Sequence, residues 1–166
     1  MDNSPEIRQE LAIKSFVVCA YICRISEDID EYLVLKRATS YLHNIFGQVA
    51  GKIEKGETAI EAIIREIQEE TGLIPESLYS ADIVETFYEL SSNSIIMVPV
   101  FVAFVEPDAQ VIISYEHSEY KWIKYHEIDK YFPFPPQKSS IRTIHDEFIA
   151  RKPLEILRID LSKYIK

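Results

Sequence analysis

The stretch GKIEKGETAIEAIIREIQEETGL, residues 51–73, decides how the rest of the chain is read. Thr58 is a helix N-cap, and Glu61 three residues on completes a capping box. The pattern predicts a helix to Thr71, stopped by Gly72 and barred from continuing by Pro75. At 100° per residue from Ile60, the residues Ile60, Ile63, Ile64 and Ile67 fall at about 0°, 300°, 40° and 340°, one apolar stripe for a core. Glu66, Glu69 and Glu70 fall at about 240°, 180° and 280°, a second stripe on its flank. Ala59 and Ala62 lie in line with the glutamates and are too small to cover them.

Three carboxylates within one turn repel one another, and the C-terminal half of a helix is the wrong end for anions. Two readings stay open on the helix alone: a solvated acidic face, or a site where Mg²⁺ or Mn²⁺ offsets the repulsion through carboxylate oxygens. The residues before the helix favour the second. Gly56-Glu57 reads as a tight turn that delivers a fourth carboxylate to the helix start, and Gly51 offers no side chain where a strand or loop passes close to something.

Gly51, Glu57, the run Arg65-Glu66-Ile67, the pair Glu69-Glu70 and Gly72-Leu73 match every fixed position of the Nudix box, which the stretch therefore resembles. The resemblance implies an α/β/α sandwich with a mixed sheet and hydrolysis of a nucleoside diphosphate linked to another moiety, using Mg²⁺ or Mn²⁺. It implies metal ligation by Glu66, Glu69 and Glu70, with Glu70 foremost. Glu57 and the backbone around Gly51 would support the metal shell, and Arg65 would orient the glutamates. Arg65 also lies i,i+4 to Glu69, so an ion pair fits independently.

Outside the box, Arg37 ends the strand-like run EYLVLKR, and family members carry a phosphate-contacting arginine at a comparable place. The loop that follows holds Tyr41, His43, Asn44 and Phe46, the nearest supply of rings and hydrogen-bonding groups for a flat heterocycle. Glu116-His-Ser-Glu-Tyr-Lys-Trp122 is similar to a run in the bacterial dihydroneopterin triphosphate pyrophosphatase branch, also described as a dATP pyrophosphohydrolase. There the first Glu is linked to metal or water activation, which points to Glu116 rather than Glu119. His117 reads as a loop residue, since hard cations are served by the carboxylates. The reaction so implied converts a nucleoside or pterin triphosphate to the monophosphate and pyrophosphate. ADP-ribose, nucleotide sugars and dinucleoside polyphosphates are the alternative substrates, and a sensor or adaptor without catalysis is a third reading that the full glutamate set disfavours.

The 166 residues suit one domain, with a core at about 12–150 and a C-terminal helical extension at 153–166 that could cap it or make a homodimer. The extension follows Pro153, with Leu154, Leu157, Leu161 and Ile165 as its apolar positions. Residues 1–13 are polar with a short helical flavour. Strands are expected at Lys14–Cys23 and Glu31–Arg37 as a hairpin, and at Gly47–Ile53, Leu78–Leu90, Ile95–Val105, Val111–Ser114 and Tyr120–Lys124. Pro99 should mark an edge, a bulge or an interruption. Short and long helices are expected at Tyr125–Tyr131 and Gln137–Ala150. Net charge is −9, which disfavours a stable nucleic-acid complex but not a small polyphosphate held through a cation. No apolar run spans a membrane, the acidic start lacks a basic leader region, and Cys19 and Cys23, about 13 Å apart in a strand, cannot bridge. These features suit a cytoplasmic protein with a small-molecule substrate.

Overall fold

The computed structural model describes residues 10–27 and 29–165. Among them, nine strands form one mixed sheet with helices on both faces. In chain order these are β1 (Ala12–Lys14), β2 (Val17–Ile25), β3 (Asp30–Arg37), β4 (Phe46–Gly47), β5 (Val49–Lys52), α1 (Ala59–Thr71), β6 (Ser77–Glu89), β7 (Ser94–Val105), β8 (His117–Lys124), α2 (Ile128–Tyr131), α3 (Pro135–Ile144) and β9 (Arg158–Ile159). The Nudix-type sandwich expected from the sequence is the observed architecture.

β2 and β7 run parallel at the centre, from Cys19 opposite Val100 to Arg24 opposite Val105. The β2–β3 hairpin forms as read, but its strands stay paired only from Cys23 opposite Tyr32 to Ile25 opposite Asp30. Beyond that they part. β2 takes β5 as its neighbour, with Val18 opposite Gly51, while β3 takes β4, with Leu35 opposite Gly47; the other edge of β3 pairs with β8 throughout, ending with Arg37 opposite His117. This splay brings Gly51, Arg37 and His117 to one end of the sheet.

Alternation along β2 divides the core. Val18, Ala20 and Ile22 pack with Leu33, Leu35, Ile63 and Ile67 under α1. Cys19, Tyr21 and Cys23 pack with Phe132, Ile141, Ile144 and Phe148 on the α3 side. Both cysteines are free and buried, and burial pushes both thiols up. Pro99 sits in a bulge. β6 slips register between Ser80 and Val84, and β7 changes neighbour there from β1, which ends opposite Ile96, to β2, which begins opposite Val100. The missing N–H therefore falls where no continuous ladder needs it.

Several expectations need correction. Residues 1–9 lie outside the described residues, so most of the expected N-terminal helical piece does; Ala12–Lys14 is a strand paired with β7. Asp28, in the β2–β3 turn, and Lys166 also lie outside them. Val111–Ser114 forms no ladder. The helix begun at Pro135 ends in a π turn, His145–Ile149. The C-terminal helix at 153–166 does not form. Two 3₁₀ turns flank β9, which adds to β6 through Leu78 opposite Ile159. Leu157 and Leu161 pack against the core, but Leu154 and Ile156 stay exposed, so the helical stripe has only part of a surface to cover. The open backbone edge of β6 offers ladder bonds, and a helix of this length is marginal in water without packing.

Candidate active site

α1 is built as its sequence dictates at both ends. The Thr58 side chain accepts from the Glu61 N–H, and the Glu61 carboxylate accepts from the Thr58 N–H. Gly72 closes the helix in the left-handed region, its N–H bonded to the Gln68 carbonyl. The roll of the helix differs from the sequence reading. Ala62, Ile63, Ile67, Glu70 and Thr71 are the buried residues, whereas Ile60 and Ile64 are only partly covered. The buried face is thus centred near Glu70 rather than beside it. Ala62, small enough to admit the close approach of the sheet, faces inward instead of lying under the glutamates. Glu70 is therefore 4% exposed.

Arg65 ties the preceding loop to the helix. Its guanidinium donates twice to Glu57, at 2.7 and 2.9 Å, and also to Glu66 at 2.8 Å, Glu69 at 3.2 Å and the Lys52 carbonyl at 2.9 Å. The expected ion pair with Glu69 is present. Arg65 hydrogen bonds, with the Glu54 N–H, hold the Glu57 carboxyl down to about 2. Glu66 is opposed in direction: burial pushes its carboxyl up despite Arg65, and Glu69 and Glu116 add to the push. A Cβ on Gly51 would lie 1.9 Å from Glu66 Cδ, so the bare α-carbon of β5 is what makes room for that carboxylate.

Glu70 is the most perturbed acid of the group. Burial, then the Glu66 charge, then Glu116 raise its carboxyl to about 8, against the opposing pull of Arg37 and the Ala50 N–H. Its Oε2 atom is buried with no hydrogen-bond partner. A buried carboxylate oxygen without a donor is costly unless something cationic meets it.

The segment that carries Glu116 is clamped to the end of α1. The last carbonyls of a helix lack intrahelical donors. Here the Thr71 carbonyl accepts from Ile112 N–H at 2.8 Å and the Glu70 carbonyl from Ser114 N–H at 3.1 Å. The Glu116 carbonyl accepts from Ala38 N–H at 2.7 Å, which joins this segment to the end of β3. Glu116 is close enough to Glu66 and Glu70 to raise both. Glu119 points elsewhere and pairs with Lys36 and Lys121.

On the far wall, the Arg37 guanidinium lies 5.7 Å from the Tyr41 ring, which is 56% exposed. The loop closes through Asn44 N–H to the Arg37 carbonyl, with Leu42 and Asn44 in the left-handed region. His43 is exposed, its Nδ1 3.1 Å from the Ala38 carbonyl. Phe46 packs edge-on against Tyr131 and lies against the α3-side core, so Tyr41 is the free ring.

His117 is the residue that sequence reading underrated. It is not a loop residue but the first residue of β8, 6% exposed, with Nε2 3.9 Å from Glu70 Oε2. Burial and Arg37 lower its imidazole to about 4. Strand alternation would place it on one face with Glu119, but the ladder slips between Lys36 and Arg37 and breaks that parity.

Among the described residues, no group of three or more His, Cys, Asp or Glu is gathered tightly enough to hold a metal ion as it stands. The donor chemistry nevertheless fits a hard divalent cation: oxygen ligands only, one of them orphaned, and mutual repulsion that a cation would relieve. Glu66, Glu70 and Glu116 are the residues that could close on it.

Residues 16–148 match the family model of the NUDIX domain. The chain belongs to the Nudix family. Over 52 residues, 31% of this chain and 31% of the other, it is 44% identical to the ADP-ribose pyrophosphatase of Methanocaldococcus jannaschii. Over 120 residues, 66% of this chain and 84% of the other, it is 28% identical to the nucleoside triphosphatase NudI of Klebsiella pneumoniae. The chain spans only 18% and 31% of the length of the first curated relatives it matches. A binary complex of the Caenorhabditis elegans Ap4A hydrolase has the same fold, with TM-score 0.69 and 24% identity over 81% of this chain and 96% of that one. Nudix hydrolases typically depend on a divalent metal, in keeping with the donor set. No helix among the described residues is long and apolar enough to cross a membrane.

Proposed function

We propose that this Nudix hydrolase cleaves a nucleoside diphosphate linked to a second moiety, with ADP-ribose the leading member of that class. The observation that carries the class is the Arg37 guanidinium beside the exposed Tyr41 ring, next to buried Glu70. A cation for the diphosphate and a flat surface for a base stand at one mouth. The 44% identity to an ADP-ribose pyrophosphatase supports the choice of substrate.

In this reading Glu66, Glu70 and Glu116 would hold Mg²⁺ or Mn²⁺, with Glu69, Glu57 and the backbone at Gly51 supporting them. The cation, when bound, supplies charge neutralisation at the diphosphate and Lewis acidity. Arg65 fixes the glutamates, Arg37 binds a phosphate oxygen, and Tyr41 stacks on the base while His43 and Asn44 reach its edge. Phe46 supports the loop from behind. Glu116 accepts the proton of the attacking water. Water adds to one phosphorus, the P–O–P bridge breaks, and ADP-ribose yields AMP and ribose 5-phosphate.

A panel of ADP-ribose, nucleotide sugars, dinucleoside polyphosphates and nucleoside triphosphates, with products identified, tests this. Two monophosphates from ADP-ribose at the highest kcat/KM is the expected result. Preferred release of pyrophosphate from a triphosphate favours the second reading, which the 28% identity to NudI over 84% of its length supports. The pterin triphosphate branch rests on the Glu116–Trp122 run and on Val49-Ala50-Gly51 leading into the box. Tyr41→Ala should raise KM for ADP-ribose more than about threefold with kcat little changed. Unchanged KM removes Tyr41 from the base site. Glu116→Gln should lower kcat by about 10²-fold with KM nearly intact, whereas Glu119→Gln should do little, being held by two lysines. A larger defect at Glu119 reverses the two roles.

A further inference from the structure

Five side-chain polar atoms among the described residues are buried without a hydrogen-bond partner, and three of them belong to neighbouring residues of the site: Glu70 Oε2, His117 Nδ1 and Arg37 Nε. We propose, resting on the metal-site reading above, that His117 is a positioning residue whose Nε2–H donates to Glu70 Oε2 and fixes that carboxylate in the orientation a cation requires.

The tautomer follows from the orphaned atoms. A neutral imidazole has one N–H and one lone pair. With Glu70 ionised, the state in which it can hold a cation, a proton on Nδ1 would leave a buried donor facing no acceptor and the Nε2 lone pair facing a carboxylate oxygen. With the proton on Nε2, the donor faces Glu70 Oε2 and only an acceptor is left bare, the milder defect. The 3.9 Å separation is about 1 Å beyond a hydrogen bond, a gap that small movements close. The imidazole is well placed to hold still. The His117 side chain is 2% exposed, the residue's backbone N–H donates to the Ser114 carbonyl at 3.1 Å, and its backbone sits opposite Arg37 in the ladder. The Ala50 N–H of β5 favours the ionised Glu70 carboxylate from the other side of the splayed hairpin. The same tautomer denies His117 a direct metal bond through Nε2, because the proton occupies the lone-pair position.

Mn²⁺ binding to the full chain, followed by electron paramagnetic resonance without substrate, tests the assignment. Wild type should bind Mn²⁺ and show no coupling from a directly bonded nitrogen. His117→Leu should weaken binding about tenfold or more, and His117→Gln, which keeps a donor, should stay within about threefold of wild type. Melting curves accompany each variant. Leu binding Mn²⁺ as tightly as wild type, or a bonded-nitrogen coupling in wild type, overturns the proposal. Should the Leu variant fail to fold, the Gln variant decides: a tenfold loss with wild-type melting also overturns it. Wild type that binds no Mn²⁺ fails the metal-site reading itself, a different outcome from any difference among the variants.

Discussion

Glu70→Gln should lower kcat by about 10²-fold or more at saturating Mg²⁺, because it removes a charge that the site uses in the transition state. Stability should move the other way or not at all. In the metal-free protein the Glu70 carboxyl is raised from 4.5 to about 8, chiefly by burial. For a raised acid, the stabilising state is the protonated one. Its contribution is complete below the unfolded value near 4.5 and is lost as pH rises through about 8. The metal-free wild type should therefore lose stability across that window, while the Gln variant, with no proton to give up there, should not. Equal melting temperatures near pH 5, and a Gln variant equal or higher at pH 8, are the expected readings. The same linkage makes cation binding proton-coupled. Apparent Mg²⁺ affinity of the wild type should climb with pH up to about 8, and that slope should flatten in the variant. Near wild-type turnover by Glu70→Gln would remove Glu70 from the site.

What could be read from sequence was local. The cap at Thr58, the stop at Gly72 and the Arg65–Glu69 pair depend on residues a turn apart, and all three stand in the structure. The β2–β3 hairpin was equally visible, and Pro99 marked the place of an irregularity without saying whether it was an edge, a bulge or an interruption. The roll of α1 was not, because it is set by what the helix meets. Ala62 and the bare Gly51 let β5 approach on one side, and that contact turns Glu70 inward. His117 was misplaced for a related reason. Strand parity holds only while register does, and the slip at Arg37 lies in the pairing with β3, not in the run of His117 itself. The tail failed as a helix because the edge of β6, far earlier in the chain at Leu78 and Tyr79, offered ladder bonds against a spacing pattern of which only Leu157 and Leu161 find the core.

Gly51→Ala separates stability from activity at the other carboxylate. The new Cβ would fall 1.9 Å from Glu66 Cδ and 2.0 and 2.4 Å from its two oxygens. No atom of a folded protein tolerates that approach, so something must shift, and the atoms in the way are the far end of a flexible side chain. The carboxylate can swing aside while β5 keeps its ladder to β2 and α1 keeps its core contacts through Ile63 and Ile67. The fold should therefore lose little, within about 1 kcal/mol, comparable to an ordinary surface change. Activity should lose much more. Displacing a ligand by about 1 Å or more from its productive position can cost about 10²-fold in kcat/KM, and Glu66 would also leave Arg65, which braces Glu57 and Glu69 as well. The measurement is a paired one on the same preparation: denaturant unfolding for stability, ADP-ribose turnover for activity. A variant that loses activity only in step with its stability would show that Gly51 serves the strand and not the carboxylate. One that keeps full turnover would show that Glu66 does its work from a second position.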